Sequence, residues 1–182
     1  MIPTEEITSV ATPVPLPRRP NAFTTIAGGG LLAGLLNGAH AVIYYNLIGG
    51  VPIAGIYRYI AIGLIGSHAA AKAGGLSVFL GVALHFFIAI GAAAVYYFAA
   101  CKLAILIRRP FVSGIVFGVG LYLFMNYIVI PLSAVPKNPN AAFSWADFAS
   151  EIFAHVVLVG LPIALMARHS ALVKPLEGAR SL

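Results

Sequence analysis

The sequence predicts an all-α, polytopic membrane fold: a four-helix transmembrane bundle with an additional short interfacial or re-entrant helix. Composition is the first indication. Of 182 residues, 60% are hydrophobic and only 9% charged, with a mean hydropathy of +0.96, and such a chain has too little polar surface to cover a soluble domain. The second is the length of the apolar runs, several of which exceed the roughly 20 residues needed to cross a hydrocarbon core of about 30 Å. The third is the placement of Lys and Arg, which fall in short groups between those runs.

Residues 1–22 carry Pro3, Pro13, Pro15, Pro17 and Pro20 with Glu5 and Glu6, have no apolar face at helical or strand period, and read as a disordered tail. Arg18 and Arg19 precede the first apolar run. That run is too long for a signal-peptide core and no small-residue cleavage site follows it, so it reads as an anchor. The spans are expected at about 23–48, 75–101, 110–134 and 146–167, with a tail at 169–182. The stretch 51–71 is apolar but interrupted by Pro52, Arg58, Ser67 and His68.

Charge bias arbitrates the status of that stretch. With four spans and both termini in the cytoplasm, Arg18, Arg19, Lys102, Arg108, Arg109, Arg168, Lys174 and Arg180 lie inside, and Arg58, Lys72 and Lys137 outside. A fifth span would send Lys102, Arg108 and Arg109 outward, against the positive-inside rule. An interfacial helix with Tyr57, Arg58 and Tyr59 at headgroup level is the economical assignment. The net charge of +6 then reflects topology and contact with membrane lipids, not nucleic acid. Cys101 is the only cysteine, so an intrachain disulfide and a thiolate metal cluster are both excluded.

Gly30, Gly34 and Gly38 in the first span, and Gly114 and Gly118 in the third, recur at four-residue spacing and give each helix a small-residue face for close approach. Such faces serve packing within the bundle or contact with another subunit, as a homo- or hetero-oligomer. Pro131 and Pro162 withdraw donors from the carbonyls of Tyr127 and Leu158, which predicts bends.

Polar residues within apolar spans are costly and therefore informative. Here they are His40 with Asn37 on the first span, His85 on the second, Asn126 on the third, and Glu151 with His155 on the fourth. At about 1.5 Å per residue, His40, Asn126, His155 and His85 fall roughly 10–15 Å below the outer ends of their spans, which predicts one polar layer. Glu151 and His155 stand at i and i+4 on one face and can share a proton or a ligand. Four chemistries suit this set: a hydrogen-bonded network fixing helix register, a protonatable or solute site, a transition-metal site, and a b-type haem clamped by two histidines. Metal or haem binding would suit an electron-transfer or accessory subunit. No enzyme signature is present: Ser67 lacks the glycines of a nucleophile elbow, and Gly28, Gly29 and Gly30 lie inside a span, not in a phosphate loop.

Three stretches resemble a known family. Ala149-Ser150-Glu151-Ile152-Phe153-Ala154-His155 leads into a span ending Met166-Ala167-Arg168. Leu84-His85-Phe86 is followed by small residues and Tyr96-Tyr97, and Leu123-Phe124-Met125-Asn126 leads to Ile130-Pro131-Leu132. Together they are similar to the YagU-like family of bacterial inner-membrane proteins. The resemblance implies an inner-membrane location and a four-span bundle in which His85, Glu151 and His155 match the family motif. It implies no established enzymatic activity. This chain departs from the pattern after the first span, where the short segment 51–71 stands in place of a longer outer loop.

Overall fold

A computed structural model describes residues 19–137 and 142–172. The greater part of the expected tail at 1–22, most of that at 169–182, and with them Arg18, Lys174 and Arg180, lie outside the described residues. The described chain is helical throughout its regular elements. These are α1 (Thr24–Ile48), α2 (Ile53–Ala73), α3 (Gly75–Lys102), α4 (Ala104–Arg108), α5 (Pro110–Leu132) and α6 (Trp145–Leu172). Four of them, α1, α3, α5 and α6, are long and apolar enough to cross a membrane.

The last span runs beyond the expected end at 167, because side chains near its C-terminus are tied to neighbouring elements. Arg168 Nη1 donates to the carbonyls of Ile107 (3.2 Å) and Arg108 (3.0 Å). Ser170 Oγ accepts from the backbone N–H of Asn21 (3.0 Å) and shares a hydrogen bond with Thr25 Oγ1 (3.1 Å). The final turns are thereby fastened to α1 and α4.

α1 and α6 pack against each other, α3 lies on α1, and α5 lies on α6. Glycines set these contacts. Along α1, a Cβ on Gly30 would fall 2.6 Å from Ile90 Cα, and one on Gly34 2.7 Å from Phe86 Cδ1. On α5, a Cβ on Gly118 would fall 2.5 Å from the His155 carbonyl, and one on Gly114 3.0 Å from that of Gly160. Both small-residue faces predicted from spacing are thus packed within the chain, against main chain at Gly30, Gly114 and Gly118 and against aromatic side chains at Gly34 and Gly38. The core is correspondingly fine-grained: Ala33, Ala93, Ala164 and Ala167 are buried around Tyr96 and Ile163. Large side chains such as Phe79, Phe87, Phe98 and Phe111 face outward, the arrangement expected where lipid is the solvent.

Three spans contain wide π-type turns, at Thr24–Gly28 and Val42–Ile48 in α1, Met125–Val129 in α5 and Ala154–Gly160 in α6. The last two directly precede Pro131 and Pro162. A proline cannot donate to the carbonyl four residues back, and a widened turn redistributes the remaining donors.

α2 is not a span. It breaks at Gly66 (φ 78°, ψ 162°), a backbone conformation that favours glycine. Its first limb packs closely on α3, where a Cβ on Gly81 would overlap the Tyr57 carbonyl. Arg58 Nε donates to Ser77 Oγ (3.2 Å), which donates to the Gly74 carbonyl (2.6 Å). The Tyr57 ring meets His85 edge-on at 6.1 Å, and its hydroxyl lies 3.2 Å from where a Gly38 Cβ would sit. The glycine face of α1 leaves room for this half-buried ring.

Gly118→Ala should therefore destabilise the bundle by about 1–3 kcal/mol through overpacking against backbone atoms. Gly120→Ala, whose methyl would meet no atom within 4 Å, should be no less stable than the parent. Thermal unfolding in detergent measures both. Equal midpoints for the two variants would contradict the α5–α6 packing.

Candidate functional site

The polar residues fall into two groups joined through one helical turn. The first is a rim where the end of α1 meets the start of α6. Ser144 accepts from the Asp147 backbone N–H (3.2 Å) and caps α6, which presents Asp147, Ser150 and Glu151 at i, i+3 and i+4 towards α1. Tyr44 donates to Asp147 Oδ1 (2.8 Å), Tyr45 donates to Glu151 Oε1 (2.6 Å), and His40 Nε2 shares a hydrogen bond of 3.1 Å with Ser150 Oγ. His40 also stacks on Tyr44, with ring centroids 5.9 Å apart.

The second group lies inside the bundle. His85 of α3 and His155 of α6 line one cavity of about 180 Å³ together with Asn37, Ile60, Met125 and Val159. His85 Nε2 is 2.8 Å from the Gly34 carbonyl. His155 Nδ1 is 2.8 Å from the Glu151 carbonyl of its own helix. A carbonyl only accepts, so the proton sits on Nε2 in His85 and on Nδ1 in His155. In the neutral rings, Nδ1 of His85 and Nε2 of His155 are then the lone-pair nitrogens. Bare backbone at Gly34 and Gly38 lets His85 approach α1 this closely.

Glu151 joins the two groups. Its Oε2 lies 3.6 Å from His155 Nδ1, while its Oε1 accepts from Tyr45. The side chain is 32% exposed against 13% for His155, so the carboxylate is at the rim and the imidazole is inside. Their contact is loose, because the ring N–H is directed chiefly at the main-chain carbonyl.

The five residues expected at one buried polar site, His40, His85, Asn126, Glu151 and His155, do not converge on a point. His85 and His155 share the cavity, with Glu151 beside His155; His40 belongs to the rim. Asn126 Nδ2 donates to the Tyr122 carbonyl one turn back in its own helix (3.1 Å), and its neighbour Met125 lines the cavity instead. Tyr45, Asp147 and Ser150 are members that sequence reasoning passed over. The Asp147, Ser150, Glu151 spacing behind a Ser144 cap was the available signal.

A second hollow, almost wholly apolar and about 520 Å³ in volume, runs between α3 and α5. It shares Ile88, Ala92, Leu121 and Met125 with the histidine-lined cavity. At one end the two helices are held together by Tyr96, whose hydroxyl donates to the Leu106 carbonyl (3.1 Å) and shares a hydrogen bond with Ser113 Oγ (2.8 Å).

Neither metal nor haem suits this arrangement. Among the described residues, no three His, Cys, Asp or Glu side chains are grouped so as to hold a metal ion. A cavity of about 180 Å³ is below the roughly 300–1,000 Å³ typical of pockets for larger organic ligands. A few waters, each with a share of about 30 Å³ in the liquid, or a small solute would fit.

Comparison of the chain with protein-family models, with curated proteins and with solved structures finds no match to any of them.

Proposed function

We propose that this protein is a non-enzymatic, multi-pass protein of the bacterial inner membrane whose buried His/Glu site exchanges a proton with a small polar solute or water held in the cavity. One observation carries the proposal: histidines from two different spans line the same small cavity, and one of them touches a carboxylate at the rim. Neither feature is needed to pack apolar helices, and ionisable side chains are rare within spans.

The chemistry follows from the tautomers. An imidazole that gains a proton at Nε2 and gives up the one at Nδ1 moves one proton and returns to its original charge. For His155 the acceptor is Glu151 Oε2, and Tyr45 holds the other carboxylate oxygen in place. The apolar hollow between α3 and α5 adjoins the cavity and supplies a lateral route from the bilayer for a small neutral solute with hydrogen-bonding groups.

The inner-membrane location and cytoplasmic termini rest on the resemblance to the YagU-like family and on charge placement. Arg19, Lys102, Arg108, Arg109 and Arg168 stand at one end of the spans, and Arg58, Lys72 and Lys137 belong to the connections at the other, as the positive-inside rule requires of a cytoplasmic N-terminus.

In vesicles carrying the reconstituted protein and a trapped pH-sensitive dye, an imposed pH gradient should decay faster than in empty vesicles. His155→Leu should slow the protein-dependent decay by about a hundredfold or more, the lower end for loss of a positioned acid–base group. Decay at the empty-vesicle rate with the parent protein, or an unaltered rate in the variant, would contradict proton exchange through this site. For topology, a Cys101→Ser background carrying Lys72→Cys or Lys137→Cys should react with an impermeant thiol reagent applied outside intact cells, and Arg108→Cys should not. Outside labelling at position 108 would overturn the proposed orientation.

A further inference from the structure

At the end of the bundle remote from the histidines, the chain turns from α3 through α4 into α5. Beside this turn is a hollow of about 450 Å³ whose lining is of two unlike kinds, basic at Arg108, Arg109 and Arg168 and apolar at Phe111, Val112 and Leu165. Arg168 is fixed in place by donating to the carbonyls of Ile107 and Arg108, which leaves most of its five N–H groups for another acceptor. Arg108 and Arg109 are exposed. Among the described residues no carboxylate pairs with any of the three. Asp147 and Glu151 are engaged at the opposite rim.

Three guanidinium groups around one hollow, uncompensated by any described carboxylate, fit a phosphate group, which arginine binds through paired N–H donors. The apolar lining indicates what carries that phosphate. Phe111, Val112 and Leu165 are exposed on the outer surface of spans, where acyl chains run, so a ligand meeting both kinds of lining joins an anionic head to hydrocarbon. We propose that this hollow is a binding site for an anionic phospholipid, with the phosphate held by Arg108, Arg109 and Arg168 and the acyl chain laid along Phe111, Val112 and Leu165. The site is independent of the proton chemistry at the other end.

The competing source of phosphate is the aqueous phase, and a diffuse attraction of lipid to the whole basic rim would also give binding. Native mass spectrometry of the full chain in neutral detergent, titrated with phosphatidylglycerol, phosphatidylcholine or inorganic phosphate, separates these cases. Phosphatidylglycerol should bind at one saturable site, and phosphatidylcholine at least tenfold more weakly. Inorganic phosphate in large excess should not displace the lipid. Arg108→Gln with Arg109→Gln should weaken phosphatidylglycerol binding at least tenfold. Arg19→Gln with Lys102→Gln removes the same charge from the same end, outside the hollow, and should change it less than twofold. Equal binding of the two lipids, displacement by inorganic phosphate, or equal losses from the two double variants would each overturn the proposal. Unfolding midpoints without lipid show that both double variants are folded, and Arg168, which also caps α4, is left intact for that reason.

Discussion

Hydrocarbon does not hydrogen-bond, so a polar group buried in the spans must find its partner within the protein or lose several kcal/mol. Among the described residues, no buried side-chain nitrogen or oxygen is left without one. That constraint accounts for where the imidazoles and the rim side chains go. His85 crosses from α3 to the backbone of α1, His155 turns back to its own helix, and Tyr44, Tyr45 and His40 reach from α1 to α6. Each main-chain carbonyl used in this way fixes a ring in one tautomer. The cavity between the two histidines takes its character from this: each ring keeps one nitrogen unprotonated, at a place where three helices supply polar groups, Asn37, His85 and His155, and the rest of the lining is apolar.

Satisfying these groups requires helices close enough to touch, which is the part played by glycine. Gly34 and Gly38 expose the α1 backbone to His85 and Tyr57, while Gly114, Gly118 and Gly160 bring α5 and α6 into main-chain contact beside His155. The widened turn at Ala154–Gly160 includes His155 itself and ends two residues before Pro162. Packing, helix irregularity and the placement of the ionisable group coincide at this stretch, as is common where π-type turns occur. By contrast, α3 and α5 are held together at Tyr96 and separated by an apolar hollow further along, so the bundle is tight on one side of the cavity and open towards lipid on the other.

Much of this was legible in the sequence. The spans follow from apolar length alone, and small-residue faces from four-residue spacing, because both depend on one helix at a time. That 51–71 forms a helix broken part-way was foreshadowed by its interruptions at Ser67 and His68, next to the break at Gly66. What was not legible involves direction around a helix axis. Counting residues gives depth, so His40, His85, Asn126 and His155 were placed at one level, but depth does not say which way a side chain turns. Asn126 turns to its own backbone, and His40 turns to Ser150. Tyr45 and Asp147 have polar side chains near span ends, where an interfacial position also satisfies them, and only the pairing of α1 with α6 distinguishes the two outcomes. The contacts of Tyr57 were not legible for a related reason: the space for its hydroxyl is left by Gly38, and that for its main chain by Gly81, on two other helices.

Main-chain carbonyls hold the two cavity histidines in opposite tautomers. Nitrogen-15 NMR of the protein labelled at histidine and held in lipid nanodiscs tests it directly, with His85→Gln and His155→Gln variants assigning the signals. In the neutral rings the proton is expected chiefly on Nε2 of His85 and on Nδ1 of His155. A His85 protonated chiefly at Nδ1, or a His155 protonated chiefly at Nε2, would contradict it.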